Sequence, residues 1–264
     1  MRIILPDGRS LARITDYILP GRITSLVGAG GKSSTMLTMG KELAGDGYSV
    51  IMTTSTKIGV FQEDLPEGLC CIGKPIYDEE QKKCRSRLDT EQKNKRKADR
   101  RLIKEEIYDS RSFYPDGITQ FHKLGSLEDP DRLKDQCDYL LIEADGSRGL
   151  PIKAPLAHEP VITPESDLVI ALAGLEAVGQ PIFRVGHRVE RICEVLKKKK
   201  EELLTPGDLA LLLLSGEGLR KNVGNRRYAV VLNQADDERK IRYGREIASL
   251  LPQDLPCILT TYRS

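Results

Sequence analysis

The residues that most directly suggest chemistry form a glycine-rich turn near the start of the chain. This turn, termed the glycine loop, comprises residues 28–34 and reads Gly28, Ala29, Gly30, Gly31, Lys32, Ser33 and Ser34. Consecutive glycines allow backbone N–H groups to point at one polyphosphate, and the positive end of a following helix adds to the attraction. Lys32 would neutralise the outer phosphates, and the Ser33 hydroxyl would bind a phosphate-bound Mg²⁺. We therefore predict that all seven residues of the loop bind a nucleoside triphosphate, with Mg²⁺ as cofactor.

The spacing within the glycine loop is shorter than in the common phosphate-binding pattern. That pattern, G-x-x-x-x-G-K-[ST], requires a glycine five residues before Gly31, where this chain has Leu26. The shorter arrangement resembles the ATP loop of the Mur-type peptide ligases. A strand-to-helix turn with a chance lysine is the alternative interpretation.

Two carboxylates follow an apolar run farther along the chain. Glu143 and Asp145 come after four consecutive apolar residues, 139–142, which are typical of a buried parallel strand. Carboxylates at a strand end beside a phosphate loop can hold Mg²⁺ or position an attacking group. We predict that Glu143 and Asp145 act in catalysis together with Lys32, and that Asp145 is also a metal ligand. An ordinary polar strand end is the alternative.

A run of hydroxyl residues, 53–56, ends the strand predicted after the first helix. Ligands of open α/β sheets gather at the carboxyl ends of the strands, so these hydroxyls would face the glycine loop. We predict that Thr54 completes the Mg²⁺ shell with Ser33 and Asp145. Threonines selected for their β-propensity would give the same pattern.

A third polar strand end carries Asn233 and Asp236. Their spacing matches the N-K-x-D loop with which GTPases recognise guanine, but Gln234 stands where that pattern has lysine. We predict that Asn233 and Asp236 contact the base. The guanine-like spacing favours GTP, the Mur-like loop favours ATP, and a chance polar loop remains the alternative.

Four further residues are candidates for an anionic second substrate or a client protein. Arg148, Lys153, His187 and Arg188 lie in glycine- and proline-rich or turn-like contexts after predicted strands. Loops of this kind commonly carry binding residues. Residues that only contribute to solubility would look similar.

The elements that must position these residues follow from the hydrophobic pattern. Strands are predicted at residues 2–5, 22–27, 48–53, 139–142, 167–173, 228–232 and 257–261, and helices at 35–44, after residue 188 and at 205–214. The first two core strands and their helix predict a parallel, right-handed βαβ unit. We predict an α/β, three-layer, phosphate-loop NTPase-like fold with a mainly parallel sheet. The chain, 1–264, would be one domain with a charged insertion at 61–136 and a mostly helical portion at 175–225.

Composition sets further limits on function. The chain has 264 residues, 39% of them hydrophobic, and a formal net charge of +2, so no global charge favours nucleic acid or a membrane surface. Residues 81–104 are rich in lysine and arginine but carry no aromatic side chains for base stacking. The six cysteines form no C-x-x-C pair, and no apolar run approaches the length of a membrane span. We expect a cytoplasmic protein with reduced thiols.

Several of these motifs together resemble the YqeC family. The resemblance is carried by residues 27–33, 53–58, 143–155, 158–160, 187–188 and 232–236, and the run Glu143-Ala-Asp-Gly-Ser-Arg-Gly-Leu-Pro-Ile-Lys-Ala-Pro155 is its most specific part. The family is described as accessory proteins for selenium-dependent molybdenum hydroxylases. The resemblance therefore implies a nucleotide-binding protein whose partner is such a hydroxylase or its cofactor. It does not extend to residues 61–136.

The leading function is an Mg²⁺-dependent NTPase or nucleotide-dependent transferase that assists maturation of this hydroxylase. A small-molecule kinase or an ATP-dependent ligase is the alternative among enzymes. A nucleotide-gated scaffold that binds the client without substrate chemistry of its own is the alternative among binding proteins.

Overall fold

A twelve-stranded sheet forms the centre of the structure, a computed structural model that describes residues 1–59, 65–76, 108–109, 123–127 and 129–262. The strands of these residues are β1 (Arg2–Ile4), β2 (Ser10–Leu11), β3 (Ile23–Gly28), β4 (Val50–Thr54), β5 (Lys57–Gly59), β6 (Leu69–Ile76), β7 (Tyr108–Asp109), β8 (Lys123–Gly125), β9 (Tyr139–Glu143), β10 (Ile152–Lys153), β11 (Leu168–Gly174), β12 (Gly186–His187), β13 (Arg227–Asn233) and β14 (Cys257–Thr261). Strands β10 and β12 pair in parallel as a separate two-stranded sheet, and the others belong to the central sheet.

The helices flank this sheet. They are α1 (Lys32–Gly45), α2 (Ile182–Val185), α3 (Val189–Leu196), α4 (Pro206–Leu214) and α5 (Glu238–Ser249), with 3-10 turns at Pro130–Gln136 and Leu175–Ala177. The predictions of a strand on either side of α1, of a strand ending at Glu143 and of a helix after Arg188 are confirmed.

The strand order across the sheet is β2-β1-β14-β13-β11-β3-β9-β4-β6-β8-β5, and β7 pairs with β6. All neighbours from β14 to β6 are parallel, whereas the strands at both edges pair in the antiparallel sense. This confirms the prediction of an α/β fold with a mainly parallel sheet. Because parallel strands all end at one edge, the residues that follow β3, β4, β9 and β13 come together there.

Strands β3 and β4 are parallel, as predicted, but they are not neighbours. Strand β9 lies between them, with Leu26 opposite Glu143 on one side and Thr54 opposite Glu143 on the other. The carboxylate-bearing strand therefore sits directly beside the strand that feeds the glycine loop. Strand β14 is not an edge strand, because β1 and β2 continue the sheet beyond it.

Alternate residues of the central strands pack against different layers. In β11, Leu168, Ile170 and Leu172 join the core that α1 covers, whereas the residues between them join the core shared with α3, α4 and α5. On the first face α1 buries Met36 and Met39 completely. Burial of such a side chain contributes about 1.5–3 kcal/mol, so packing fixes the axis of α1 against the sheet.

Helix α4 begins as its sequence predicts. The Thr205 hydroxyl accepts from the Asp208 N–H at 3.2 Å, and the Asp208 carboxylate accepts from the Thr205 N–H at 2.8 Å. This reciprocal cap satisfies two backbone donors at the helix start. Residues 205–208 therefore mark the start of this helix in the sequence itself.

Some predictions lie outside the described residues. These include the structure of the basic stretch 81–104 and most of the insertion predicted at 61–136. Within the parts of the chain that are described, no helix is long and apolar enough to cross a membrane.

Candidate functional site

The glycine loop connects the carboxyl end of β3 to the first turn of α1. Gly31 has a left-handed φ of 122°, and a Cβ at this position would lie 2.1 Å from Asn233 Nδ2. That amide donates to the Gly30 carbonyl at 2.8 Å, which ties β13 to the loop. From Gly31 to Ser34 the backbone N–H groups open α1 and have no acceptor within the helix. They line one cavity and can serve as donors to an anion there.

Lys32 lies beneath the glycine loop and is only 3% exposed. Its Nζ donates to the Gly28 carbonyl at 2.6 Å and lies 3.3 Å from Asp145 Oδ1 and 3.9 Å from Glu143 Oε1. The ammonium therefore contributes positive charge at the base of the loop, where it is held by the first turn of α1 and the end of β9.

Asp145 is completely buried under the same loop. Both of its carboxylate oxygens accept from the Gly28 N–H at 3.1 Å, and they also lie beside the ammonium groups of Lys32 and Lys153, at 3.3 and 3.1 Å. Two cations and one backbone donor thus share this carboxylate. Its position favours a role in holding the loop in shape.

Glu143 occupies a different environment, although it is only two residues away. Its carboxylate lines the cavity and accepts from the Ser33 hydroxyl at 2.7 Å. Burial raises the pKa of Glu143 above its usual value, although the Lys32 ammonium and the Ser33 hydroxyl oppose this effect. A carboxylate and a hydroxyl in contact at the start of α1 provide the hard oxygen ligands that Mg²⁺ prefers.

Lys153 extends the charged network away from the loop. Its side chain is 0% exposed, and its Nζ contacts Glu159 Oε2 at 3.0 Å and the Gly146 carbonyl at 2.9 Å in addition to Asp145. Burial would raise the pKa of Glu159, but the Lys153 ammonium holds it below its usual value. Lys153, predicted to contact a substrate, is thus turned into the protein, not toward the cavity.

The cavity beside the glycine loop has a volume of about 670 Å³. We term it the larger cavity. It is lined by residues of the loop, of β5 and of β12, by the end of β9 and by residues that follow β4 and β9: Gly31, Lys32, Ser33, Ser34, Thr56, Lys57, Ile58, Glu143, Gly146, Ser147, Arg148, Gly149, Glu159, His187 and Arg188. The structure therefore brings half of the predicted site residues, eight of sixteen, around one space.

Outside the glycine loop, the lining of the larger cavity includes a basic wall formed by Arg148, His187 and Arg188. Arg148 and Arg188 have left-handed φ angles of 52° and 69°, and His187, the last residue of β12, is buried. Burial and the nearby Arg188 and Lys153 lower the pKa of His187. Near neutral pH its imidazole is therefore uncharged and can accept or donate a hydrogen bond.

Thr54 does not face the larger cavity. It is buried, and its hydroxyl donates to the Glu143 carbonyl at 3.0 Å, which fastens β4 to β9. Thr56 lines the cavity instead. Among the described residues no cluster of three or more His, Cys, Asp or Glu side chains is arranged to hold a metal ion. Of the predicted metal ligands, Ser33 lines the larger cavity, whereas Thr54 and Asp145 do not.

A smaller cavity of about 230 Å³ also borders the glycine loop. Asn233, Gln234, Asp236 and Tyr262 line it together with Gly31. The Asn233 amide is largely used within the protein, because its Oδ1 accepts from the Gln234 N–H at 2.7 Å and from Thr260.

In the same cavity, the Asp236 carboxylate accepts from the Thr261 hydroxyl and lies 3.4 Å from Lys240 Nζ. Gln234 has a left-handed φ of 65°, and its buried Oε1 has no hydrogen-bond partner among the described residues.

Sequence reasoning did not identify Glu159 and Tyr262 as parts of the site. Glu159 links Lys153 to Arg188, whose Nη2 lies 3.7 Å from Glu159 Oε1. Its place in the His158-Glu-Pro160 motif, which contributes to the family resemblance, was the available signal. Tyr262 follows the last strand as a single aromatic residue, and no pattern marked it.

Comparisons with known proteins agree with the motifs. A family model described as YqeC protein matches residues 24–190, which is more than half of the chain. A relative from Escherichia coli (strain K12), named "Uncharacterized protein YqeC", is 27% identical over 248 residues that cover 89% of this chain and 85% of the relative. No solved structure was found to match the chain. The extent of the family match establishes that the chain belongs to the YqeC family.

Proposed function

We propose that the protein is an Mg²⁺-dependent, phosphate-loop nucleotide-binding and hydrolysing protein. The main support for this proposal is the arrangement at the start of α1. Backbone N–H groups without an acceptor in the helix, the Lys32 ammonium and the Ser33–Glu143 pair occur there beside one cavity of about 670 Å³. Loop amides would hold the phosphates, and Lys32 would supply positive charge from below.

Ser33 and Glu143 fit a magnesium ion better than the full set predicted from sequence. Mg²⁺ is usually bound through one or two protein oxygens together with waters and phosphate oxygens. Ser33 and Glu143 offer such oxygens at the cavity wall, whereas those of Asp145 are shared by Gly28, Lys32 and Lys153. When bound, the ion would neutralise charge that develops on the phosphate oxygens.

The smaller cavity would receive the nucleoside. It shares Gly31 and Ser34 with the larger cavity, so a nucleotide whose phosphates contact the loop can reach both. Asp236 lines this cavity and could accept from the ring N–H and amino group of guanine. We therefore propose GTP as the preferred nucleotide over ATP.

Assistance to a client enzyme is the role that the family resemblance implies. We propose that the client is a selenium-dependent molybdenum hydroxylase and that nucleotide turnover accompanies its maturation. A scaffold with slow turnover would hydrolyse nucleotide only when the client is added, whereas a transferase would form product from a small second substrate.

Replacement of Lys32 tests the nucleotide site. Wild type and Lys32→Ala are compared in thermal unfolding with ATP or GTP, with and without Mg²⁺, after the melting temperature of each protein alone has been measured. A nucleotide at a hundred times its dissociation constant stabilises by about 2.7 kcal/mol. We expect the wild type to show this stabilisation by nucleotide, with a larger value for GTP than for ATP. Lys32→Ala should lose it, because the phosphates lose their cation.

Lys200→Ala is the matched control, since Lys200 is an exposed lysine beyond α3. It should retain the full increment. A full increment in Lys32→Ala would refute the assignment of the glycine loop, and an equal increment with ATP and GTP would refute the proposed base preference.

A further inference from the structure

We infer that the basic wall of the larger cavity, formed by Arg148, His187 and Arg188, binds the anionic group of a small second substrate beside the terminal phosphate of the nucleotide. The inference rests on the proposed nucleotide site and specifies what else that cavity takes. The substrate class is a small molecule that carries a phosphate or carboxylate group.

The backbone at the two arginines is the first reason. Arg148 and Arg188 both adopt left-handed conformations, with φ of 52° and 69°, and both line the same cavity. A left-handed conformation costs a residue other than glycine about 1–2 kcal/mol. Such strain persists when the surrounding structure enforces it, and it is concentrated at binding sites. Here it directs two guanidinium-bearing residues to one wall.

The incomplete hydrogen bonding of Arg188 is the second reason. Its Nη2 lies 3.7 Å from Glu159 Oε1, and its Nε is buried with no partner among the described residues. The Arg188 side chain as a whole is 34% exposed and lines the cavity, so part of it is accessible to a ligand there. Because a guanidinium has five N–H donors in a fixed plane, an oxyanion can be bound through two of them at once.

The balance of charge along the wall is the third reason. Within the described part of the chain, Arg148 forms no ion pair, and Lys57 also lines the cavity. Glu159, the acidic residue on this wall, already accepts from Lys153 at 3.0 Å. The remaining positive charge would therefore favour an anion, while His187 offers a further hydrogen-bonding group at the wall.

The position of the wall determines what the second substrate can do. The basic residues and the glycine loop border one space of about 670 Å³, which lies within the range of about 300–1,000 Å³ that is usual for small-molecule sites. An acceptor bound here would lie beside the terminal phosphate of a nucleotide in the loop. In a transfer to this acceptor, one of its oxygens would form a bond to the terminal phosphorus, the bond from that phosphorus to the bridging oxygen would break, and the nucleoside diphosphate would leave.

The test measures binding of a second anion while the nucleotide site is filled. The protein is saturated with Mg²⁺ and a non-hydrolysable nucleoside triphosphate, so that the loop and the terminal phosphate position are occupied. Inorganic phosphate and, separately, malonate are then added, and the melting temperature is followed. At ten times its dissociation constant, a second anion should raise the melting temperature by about 3–5 °C.

The variants Arg148→Ala and Arg188→Ala should lose the increase in melting temperature caused by the second anion and retain the increase caused by the nucleotide. Arg242→Ala is the matched control, because Arg242 is exposed on α5 and lines neither cavity. Arg148 is exposed, so its replacement keeps the test valid if Arg188→Ala alters the fold. Phosphate and malonate distinguish the two classes of acceptor.

If the nucleotide does not raise the melting temperature of the wild type, the proposed function is refuted. A nucleotide increment without any second increment, or a second increment that survives both arginine replacements, would overturn the inference and leave the nucleotide site standing.

Discussion

Glu143 and Asp145 show how two carboxylates separated by one residue can differ in role. Alternate positions beyond a strand suggested that both would face the phosphates. In the structure Glu143 reaches the cavity and accepts from Ser33, whereas Asp145 is buried between Lys32, Lys153 and the Gly28 N–H. Removal of one partner from a buried ionic cluster leaves the others uncompensated. The two residues should therefore respond differently to neutralisation.

We expect Asp145→Asn to lower the free energy of unfolding by about 3–5 kcal/mol, because two buried ammonium groups lose their shared carboxylate. The sequence alone predicted that Asp145 acts in catalysis and as a metal ligand. Urea unfolding of the variant without nucleotide measures the effect.

Asp135→Asn is the control for this measurement. Asp135 forms an exposed ion pair with Arg22 at 3.5 Å, and the loss of such a pair costs about 0–1 kcal/mol. Equal stability of Asp145→Asn and Asp135→Asn would show that the buried network does not hold the loop.

At the scale of elements, the glycine loop depends on contact with another strand end. Asn233, at the end of β13, donates to the Gly30 carbonyl and leaves no room for a side chain at Gly31. The loop is therefore held by β13 as well as by its own β3 and α1. A small change at Gly31 should act on both the loop and this contact.

We expect Gly31→Ala to abolish nucleotide-dependent stabilisation, because the new Cβ would displace Asn233 and change the conformation of the glycine loop. Gly47→Ala is a matched control: Gly47 also has a positive φ, 89°, but no atom lies within 4 Å of a Cβ built there. Both variants carry a conformational cost of about 1–2 kcal/mol. If Gly31→Ala keeps the nucleotide increment in thermal unfolding, the contact with Asn233 does not shape the loop.

Individual helices and strands could be predicted from the sequence, whereas their arrangement in the sheet could not. The helix at 205–214 and the strand at 139–142 depend on neighbouring residues, and both were predicted. The insertion of β9 between β3 and β4 depends on how distant segments cross the sheet, which hydrophobic spacing does not encode. The pairing of Lys153 with Asp145 and Glu159 was missed for the same reason, since only the folded β10 turns that amine inward.

For the whole molecule, the buried carboxyl group of Glu143 should make the free energy of unfolding depend on pH. Because burial raises its pKa above the ordinary 4.5, the folded state holds this proton more tightly than the unfolded state. The contribution of Glu143 to stability is thus fully present below the ordinary pKa and is lost as pH rises through the raised pKa. Relative to wild type, Glu143→Gln should gain stability as pH rises from about 4 to 7.

Urea unfolding across this pH range, with the exposed Glu246→Gln as control, measures the difference. A difference between wild type and Glu143→Gln that does not vary with pH, or that has the opposite slope, would contradict this prediction. The comparison isolates one carboxyl group because the other groups are common to both proteins.

The position of β3 between β9 and β11 also has a consequence for biosynthesis. Gly28 and Asp145, which hydrogen-bond in the folded protein, are separated by 117 residues. A nascent chain that has left the ribosome only as far as β4 carries a hydrophobic β3 whose two neighbours are not yet translated. Unpaired strand edges of this kind promote aggregation. The N-terminal third should therefore require chaperone protection until β9 and β11 have emerged.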